Sequence, residues 1–312
     1  MKRIISIALL FIIIQADAQD EQVIISTPKQ PEGIATKVFN SQKVINTKSV
    51  EVLRKGVLEF NVAHNFGDIA GDNGGVRRFF GLDNTTDVRI GFQLGLSDKF
   101  NIIAARTKGL FVTQQWELGL KWQLLTQMEN DPSHPVSLTI FANDVVSSQK
   151  RSNPLLGATE TSFEDFGDRH SQVIQLIIAR KMGKVSLQLN PLFLHTNHVL
   201  PYDQKNIFAL GGAIRLPLSE RVVILADYFY PFRSQSTEDA FIANSQRLYE
   251  VFGIGVEILT EGHAFHLNFT NATDILENRF IRKTVTNWGD GEFRWAFTLS
   301  RNFVLFTNNK KK

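Results

Sequence analysis

The chain has 312 residues, no cysteine and a formal net charge of +3 from 34 basic and 31 acidic side chains. Without cysteine there is no lipoprotein anchor, disulfide scaffold, thiolate metal centre or cysteine nucleophile. The signs are interleaved and nearly balanced, so nothing marks a nucleic-acid partner.

Lys2 and Arg3 precede an apolar run from Ile4 to Ile14, and Ala16-Asp17-Ala18 offers small residues for cleavage. This is the layout of a secretory signal peptide, expected over residues 1–18 and too short to span a bilayer as a helix. Its removal takes away Lys2, Arg3 and Asp17, so +3 minus two positive and one negative charge leaves +2. No later run reaches about 18 apolar residues, so no transmembrane helix is expected. Residues 19–55 read as a periplasmic N-terminal segment or plug. Pro28, Pro31 and Gly33 interrupt the segment, and a strap, a plug or extra strands all remain open.

From residue 56 the chain alternates. Leu58, Phe60 and Val62 oppose Glu59 and Asn61. Val88, Ile90, Phe92, Leu94 and Leu96 oppose Asp87, Arg89, Gly91, Gln93 and Gly95. Trp116, Leu118, Leu120 and Trp122 oppose Glu117, Gly119 and Lys121, and Leu138 and Ile140 oppose Ser137 and Thr139. The same period returns around Val185–Leu189, Phe252–Ile258, Phe265–Phe269 and Phe293–Leu299, with weaker strands at Phe100–Thr107, Val173–Arg180, Phe208–Leu216 and Val222–Tyr230. A period of two is that of an extended strand with one greasy face and one polar face. Twelve strands are expected, and no sustained helical period follows the signal.

The connections decide which face is wet. Links after even strands are mostly short, such as Ser97–Lys99, Met182–Lys184 and Pro217–Glu220. Links after odd strands are mostly long, such as Gly67–Asp83, Ser147–His170 and Asn271–Gly291. An even strand count with loops sorted by parity is the design of an outer-membrane barrel, and a soluble sandwich has no reason to sort them. The expected fold is therefore all-β: a closed antiparallel transmembrane β-barrel of about 12 strands over residues 56–306, with short periplasmic turns, long extracellular loops and a basic tail at 307–312. The apolar parity faces lipid, its expected partner, and the polar parity faces the lumen.

The lumen-lining candidates by parity are Glu59, Asp87, Arg89, Glu117, Lys121, Arg215, Asp227, Glu257, Glu292 and Arg294. Such residues either tune a pore or form an inert network of paired charges. Glycines on the same parity, including Gly91, Gly95, Gly211, Gly253 and Gly255, leave room for a cavity. On this reading Glu117→Gln costs little folding stability, while Leu118→Arg on the lipid face costs roughly 2–4 kcal/mol.

The most distinctive words are "KVINTKSVEVLRKGVLEFNVAHNFGDI" at Lys43–Ile69 and "RRFFGLDNTTDVRIGFQLGLSDKF" at Arg77–Phe100, with "GEFRWAFTLSRNFVLF" closing the chain at Gly291–Phe306. Together they resemble a Bacteroidota family of outer-membrane β-barrels catalogued as domain of unknown function 5777. The resemblance implies a fold and a location in the outer membrane of a Gram-negative cell. It carries no activity and supplies no catalytic residue.

Candidate chemistry is sparse. Asp68, Asp72, Asn73 and Asp83 do not have the spacing of an EF-hand loop. Phe79 and Phe80 in the same loop either fold over the barrel mouth or touch lipid. His263 and His266 are three apart in a strand and point to opposite faces, and His195 with His198 lacks a third ligand. Serine, histidine and acidic residues are scattered without a nucleophile motif. No enzyme activity, metal or cofactor is expected. The function expected is a passive channel or solute-binding barrel of unknown cargo. The alternative is a non-transport structural or docking barrel whose outer loops bind a protein partner.

Overall fold

The computed structural model describes residues 35–153 and 157–306. The expected signal peptide, residues 19–34 and the basic tail at 307–312 lie outside the described residues.

Twelve strands form the barrel: β1 Val57–Asp68, β2 Thr85–Gly95, β3 Phe100–Thr107, β4 Gln115–Leu125, β5 Ser137–Ser147, β6 His170–Met182, β7 Val185–Thr196, β8 Asn206–Pro217, β9 Val222–Phe232, β10 Val251–Leu259, β11 His263–Thr270 and β12 Arg294–Val304. Each pairs antiparallel with its sequence neighbours, and β12 closes on β1 with Val62 opposite Leu299 and Glu59 opposite Asn302. Closure leaves no unpaired edge, which is what a sheet needs where no water can satisfy its backbone.

The alternation predicted from the sequence sets the facing. Along β4, Trp116, Leu118, Leu120 and Trp122 are 54, 63, 49 and 52% exposed, whereas Glu117 and Lys121 are fully buried. A greasy outer belt of this extent is unsuited to water and matches a bilayer. At the end of the barrel that carries the long loops, the belt finishes in aromatic rings. Phe269 lies 4.4 Å from Trp295, Trp288 lies 4.3 Å from Phe293, and His64 stacks on Phe297 at 5.5 Å. Aromatic rings gather at the level where lipid headgroups meet water.

The inner face divides into two halves, which alternation alone does not reveal. On β1–β4 and β10–β12 it is mainly polar. On β6–β9 it carries Val173, Ile177, Leu192, Leu194, Ile207, Val223, Leu225 and Phe229, all buried. These strands are largely apolar on both faces, so something inside the barrel must cover the inner one.

Two helices interrupt the long loops. Helix α1 (Gln235–Ala243) is capped by Ser234, whose side chain accepts from the Thr237 amide. The short helix α2 (Glu277–Phe280) lies in the β11–β12 connection.

Candidate functional site: a lumen filled from both ends

Residues 35–56 enter the lumen as a hairpin and leave it by the same mouth. At the base, Thr36 N–H donates to the Gln127 carbonyl beside the β4–β5 turn, and Gly56 N–H donates to the Gly95 carbonyl at the end of β2. Both anchors lie at the short-turn end. The fold-back is closed by Val44 N–H to Thr47 O (2.9 Å) and Ser49 N–H to Gln42 O (2.9 Å). Val38, Phe39, Val44, Ile45 and Val50 are buried and join the apolar half of the wall in one core. Glycines on the wall make this approach possible: a side chain at Gly95 would collide with the Arg54 backbone, and one at Gly253 with Ile45 and Asn46.

The wall holds the hairpin by its backbone. Asp227 receives the amides of Ile45 (3.2 Å), Asn46 (2.6 Å) and Thr47 (3.0 Å), together with the Asn46 side-chain amide (2.7 Å). Gln188 accepts from Val50 N–H and donates to Lys48 O, each at 2.9 Å. Asn101 does the same with Leu53 N–H and O at 2.7 and 2.8 Å. These amide side chains supply the backbone partners that a neighbouring strand would otherwise provide. Glu257 accepts from Ser41 (2.5 Å) and Asn40 (2.8 Å), while His266 reaches Val44 O at 2.9 Å and Ser41 at 3.2 Å.

The opposite mouth is closed by the β11–β12 connection. Its residues 271–284 are buried, including Glu277, Asn278, Arg279, Phe280 and Ile281. Asp87 on β2 accepts from Ile275 N–H and from Gly109 N–H, both at 2.7 Å. Arg282 donates to Asp203 (2.9 Å) and to the Gln204 carbonyl (2.6 Å). Arg279 and Lys283 both bind Glu160 of the β5–β6 loop, Lys283 at 2.8 Å. Burial on its own would raise the Glu160 carboxyl, but the two cations overcome that and hold it down at about 2.

The two fillings meet at Lys48. Its ammonium binds Glu277 of α2 at 3.0 Å, faces Glu117 of β4 at 3.6 Å, and lies 4.9 Å from the centre of the Phe141 ring. One lysine thus joins the hairpin, the inward-folded loop and the wall. A cavity of about 30 Å³ remains beside the hairpin, lined by Ser41, Lys43, Glu59, Arg89, His266 and Thr298. It has room for water but not for a solute of any size.

The ten lumen candidates therefore occupy varied settings. Glu59, Asp87, Arg89, Glu117, Lys121, Asp227, Glu257 and Arg294 are buried on the inner face. Glu117 accepts from Nε and Nη2 of Arg89 at 2.9 and 2.6 Å and from Asn143 at 3.1 Å. It is a buried hub, so the expectation that Glu117→Gln costs little does not hold. Lys121 donates to Gln42 (3.1 Å) and to the Glu51 carbonyl of the hairpin. Arg294 pairs with Asp68 at 2.7 Å, and Glu59 accepts from Asn61 at 3.2 Å. Arg215 is only half-buried near the short-turn end. Glu292 precedes β12 and accepts from Asn287 N–H in the loop at 2.9 Å, so it belongs to the mouth and not to the wall. The room left by lumen glycines is occupied: Phe229 fills the space over Gly211, and Arg89 and Asn61 that over Gly91. Sequence reasoning missed Lys48, Asn101, Gln188, Glu277 and Arg279, because their partners are remote in the chain.

His195 bonds Asn206 (2.6 Å) and His198 bonds the Thr159 carbonyl (3.1 Å), so neither is committed to the other. Among the described residues no group of three or more histidine and acidic side chains could hold a metal ion.

A closed twelve-stranded barrel with an apolar outer belt and aromatic rings at one rim is a membrane-spanning β-barrel of the outer-membrane type. The chain belongs to the membrane-bound β-barrel domain family, domain of unknown function 5777, whose sequence model matches residues 39–303. That match takes in most of the lumenal hairpin along with the barrel. The NanC porin is similar in structure at 6% identity, with 79% of this chain and 98% of that one covered and a TM-score of 0.44. The KdgM porin aligns at 8% identity over 79% and 99% with a TM-score of 0.46. The outer-membrane protein Omp33 of Acinetobacter baumannii aligns at 8% over 79% and 97% with a TM-score of 0.38. No curated protein sequence matches the chain.

Proposed function

We propose that this outer-membrane barrel is a gated passage for a small polar solute, closed by the N-terminal hairpin on one side and the β11–β12 loop on the other. The observation that carries the reading is that the hairpin enters and leaves by one mouth. It can withdraw without unthreading the chain or opening the sheet. Withdrawal uncovers the charged half of the wall, on which Arg89, Glu117, Lys121 and Glu257 would face a passing solute. The short turns are placed in the periplasm and the long loops outside, as barrels of this kind are built. The hairpin is then the periplasmic gate and the loop the external one, with Lys48–Glu277 coupling them.

The test is conductance in planar bilayers with a reversible lock. The chain has no cysteine, so Thr47→Cys with Asn190→Cys creates a single thiol pair where the Asn190 amide now donates to the Thr47 hydroxyl at 2.5 Å. The reduced protein should show openings, oxidation should abolish them, and reduction should restore them. Openings that persist after oxidation would show that ions do not use a path blocked by the hairpin. The completeness of the filling favours a second reading, a barrel that docks a protein partner through its outer loops. Silence of the reduced protein and of Asp227→Ala alike would move the assignment there.

A further inference from the structure

The β1–β2 connection carries a feature that the gate does not use. Residues Val76–Gly81 form a 3-10 turn in which Phe79 and Phe80 both adopt left-handed backbone conformations, with φ of 47° and 52°. Two consecutive bulky residues there are strained, and the strain persists only when the surroundings enforce it. The turn is held by backbone: Gly75 N–H donates to Ile69 O at 2.9 Å and Phe80 N–H to Gly75 O at 2.9 Å. Gly81 packs so closely on the Gly67 backbone that no side chain fits there. What this strained knot presents is apolar: Val76, Phe79 and Phe80 are 79, 61 and 47% exposed. Arg77 and Arg78, beside them, are exposed as well.

We propose that this knot binds the phosphorylated headgroup of an outer-leaflet lipid, with Arg77 and Arg78 on the phosphate and Phe79 and Phe80 seated among the acyl chains. The surface continues one already described. The knot packs on the long-loop end of β1, where Gly81 abuts Gly67, the neighbour of Phe66, which belongs to the aromatic rim with His64 and Phe297. On β3, two strands from β1, Arg106 lies over the Trp116 ring at 4.9 Å on the outer face of the same end. Basic groups beside aromatic rings at the rim of a greasy belt suit a lipid whose phosphate lies just above its chains. A protein partner would bring no such match to the belt. The inference depends on the long-loop end facing outward, and not on whether the lumen opens.

The experiment is native mass spectrometry of the full chain in detergent, titrated with diphosphorylated lipid A. The wild type should retain the lipid. Arg77→Gln with Arg78→Gln should weaken retention on the order of tenfold or more, as loss of charge-assisted hydrogen bonds to phosphate requires. Phe79→Ser with Phe80→Ser should weaken it too. All four positions of the paired variants are exposed, so the barrel should keep its heat-dependent gel shift. Retention of fully dephosphorylated lipid A as strong as that of the diphosphorylated form would overturn the proposal. So would competition by millimolar inorganic phosphate, which would mark a free-anion site, or unchanged retention in the arginine pair.

Discussion

Asp227 gives the sharpest test of the hairpin as a docked, removable element. Its carboxylate accepts four hydrogen bonds from the hairpin tip, at 2.6 to 3.2 Å, in a site where it is 2% exposed. Asp227→Ala leaves at least the three backbone donors of Ile45, Asn46 and Thr47 facing a void. A buried donor left unsatisfied costs about 1–3 kcal/mol, and such losses are not additive when neighbours share one acceptor. Roughly 3–6 kcal/mol of docking energy is therefore at stake, and at about 1.4 kcal/mol per tenfold the undocked population should rise by about two to four decades. The assay uses Val44→Cys as a reporter, since Val44 is fully buried in the core between hairpin and wall and cysteine is a small apolar replacement for it. Modification of that thiol by a maleimide reagent too large for the remaining cavity should be slow in the parent and faster by those decades with Asp227→Ala. The barrel itself should remain folded, shown by faster migration on a gel unboiled than boiled. Equal labelling rates in a folded barrel would refute the claim that this carboxylate holds the hairpin down.

Leu118→Arg places a charge in the lipid belt and should cost roughly 2–4 kcal/mol if it lies near the bilayer midplane, read by urea unfolding in lipid vesicles. Glu117→Gln should also destabilise, by about 3–5 kcal/mol, because it leaves Arg89 buried without its anion and Lys48 with Glu277 alone, and the same unfolding assay checks it. Acid should loosen the outer loop: the Glu160 carboxyl lies below its ordinary value of 4.5, at about 2, so its stabilisation is fully present above pH 4.5 and fades as the pH falls towards 2. Protease cleavage within 271–291 should therefore increase over that window, and the increase should be smaller in Glu160→Gln, where only the other carboxylates at this mouth still titrate.

The outer surface was legible in the sequence, because lipid imposes one rule on every strand and the rule has period two. Trp116 to Trp122 shows it without a slip. The parity of loop lengths separated a barrel from a sandwich for the same local reason. The interior was not legible, because its contacts join distant residues. Asp227 and Asn46 are 181 positions apart, and Lys48 and Glu277 are 229 apart. A lone aspartate in "VVILADYFY" reads the same whether it faces water or three amides. One local sign of the filling was present: "VIQLII" in β6 and "VVIL" in β9 are apolar on both parities, which a water-filled lumen would not want. The tip "VINTK" gave no such sign, since it turns without a glycine or proline.

The shared mouth also bears on how the protein is made. A segment threaded through a ring must be in place before the ring closes, but a hairpin whose two stems hang from one rim is topologically free of it. Pairing of β12 with β1 can therefore precede or follow entry of residues 35–56. Because these residues precede every strand in the chain, they are also available as a scaffold on which β6–β9 gather their inner apolar faces. The order of the two events becomes a kinetic question: removal of the hairpin either slows closure of the sheet or leaves it unchanged.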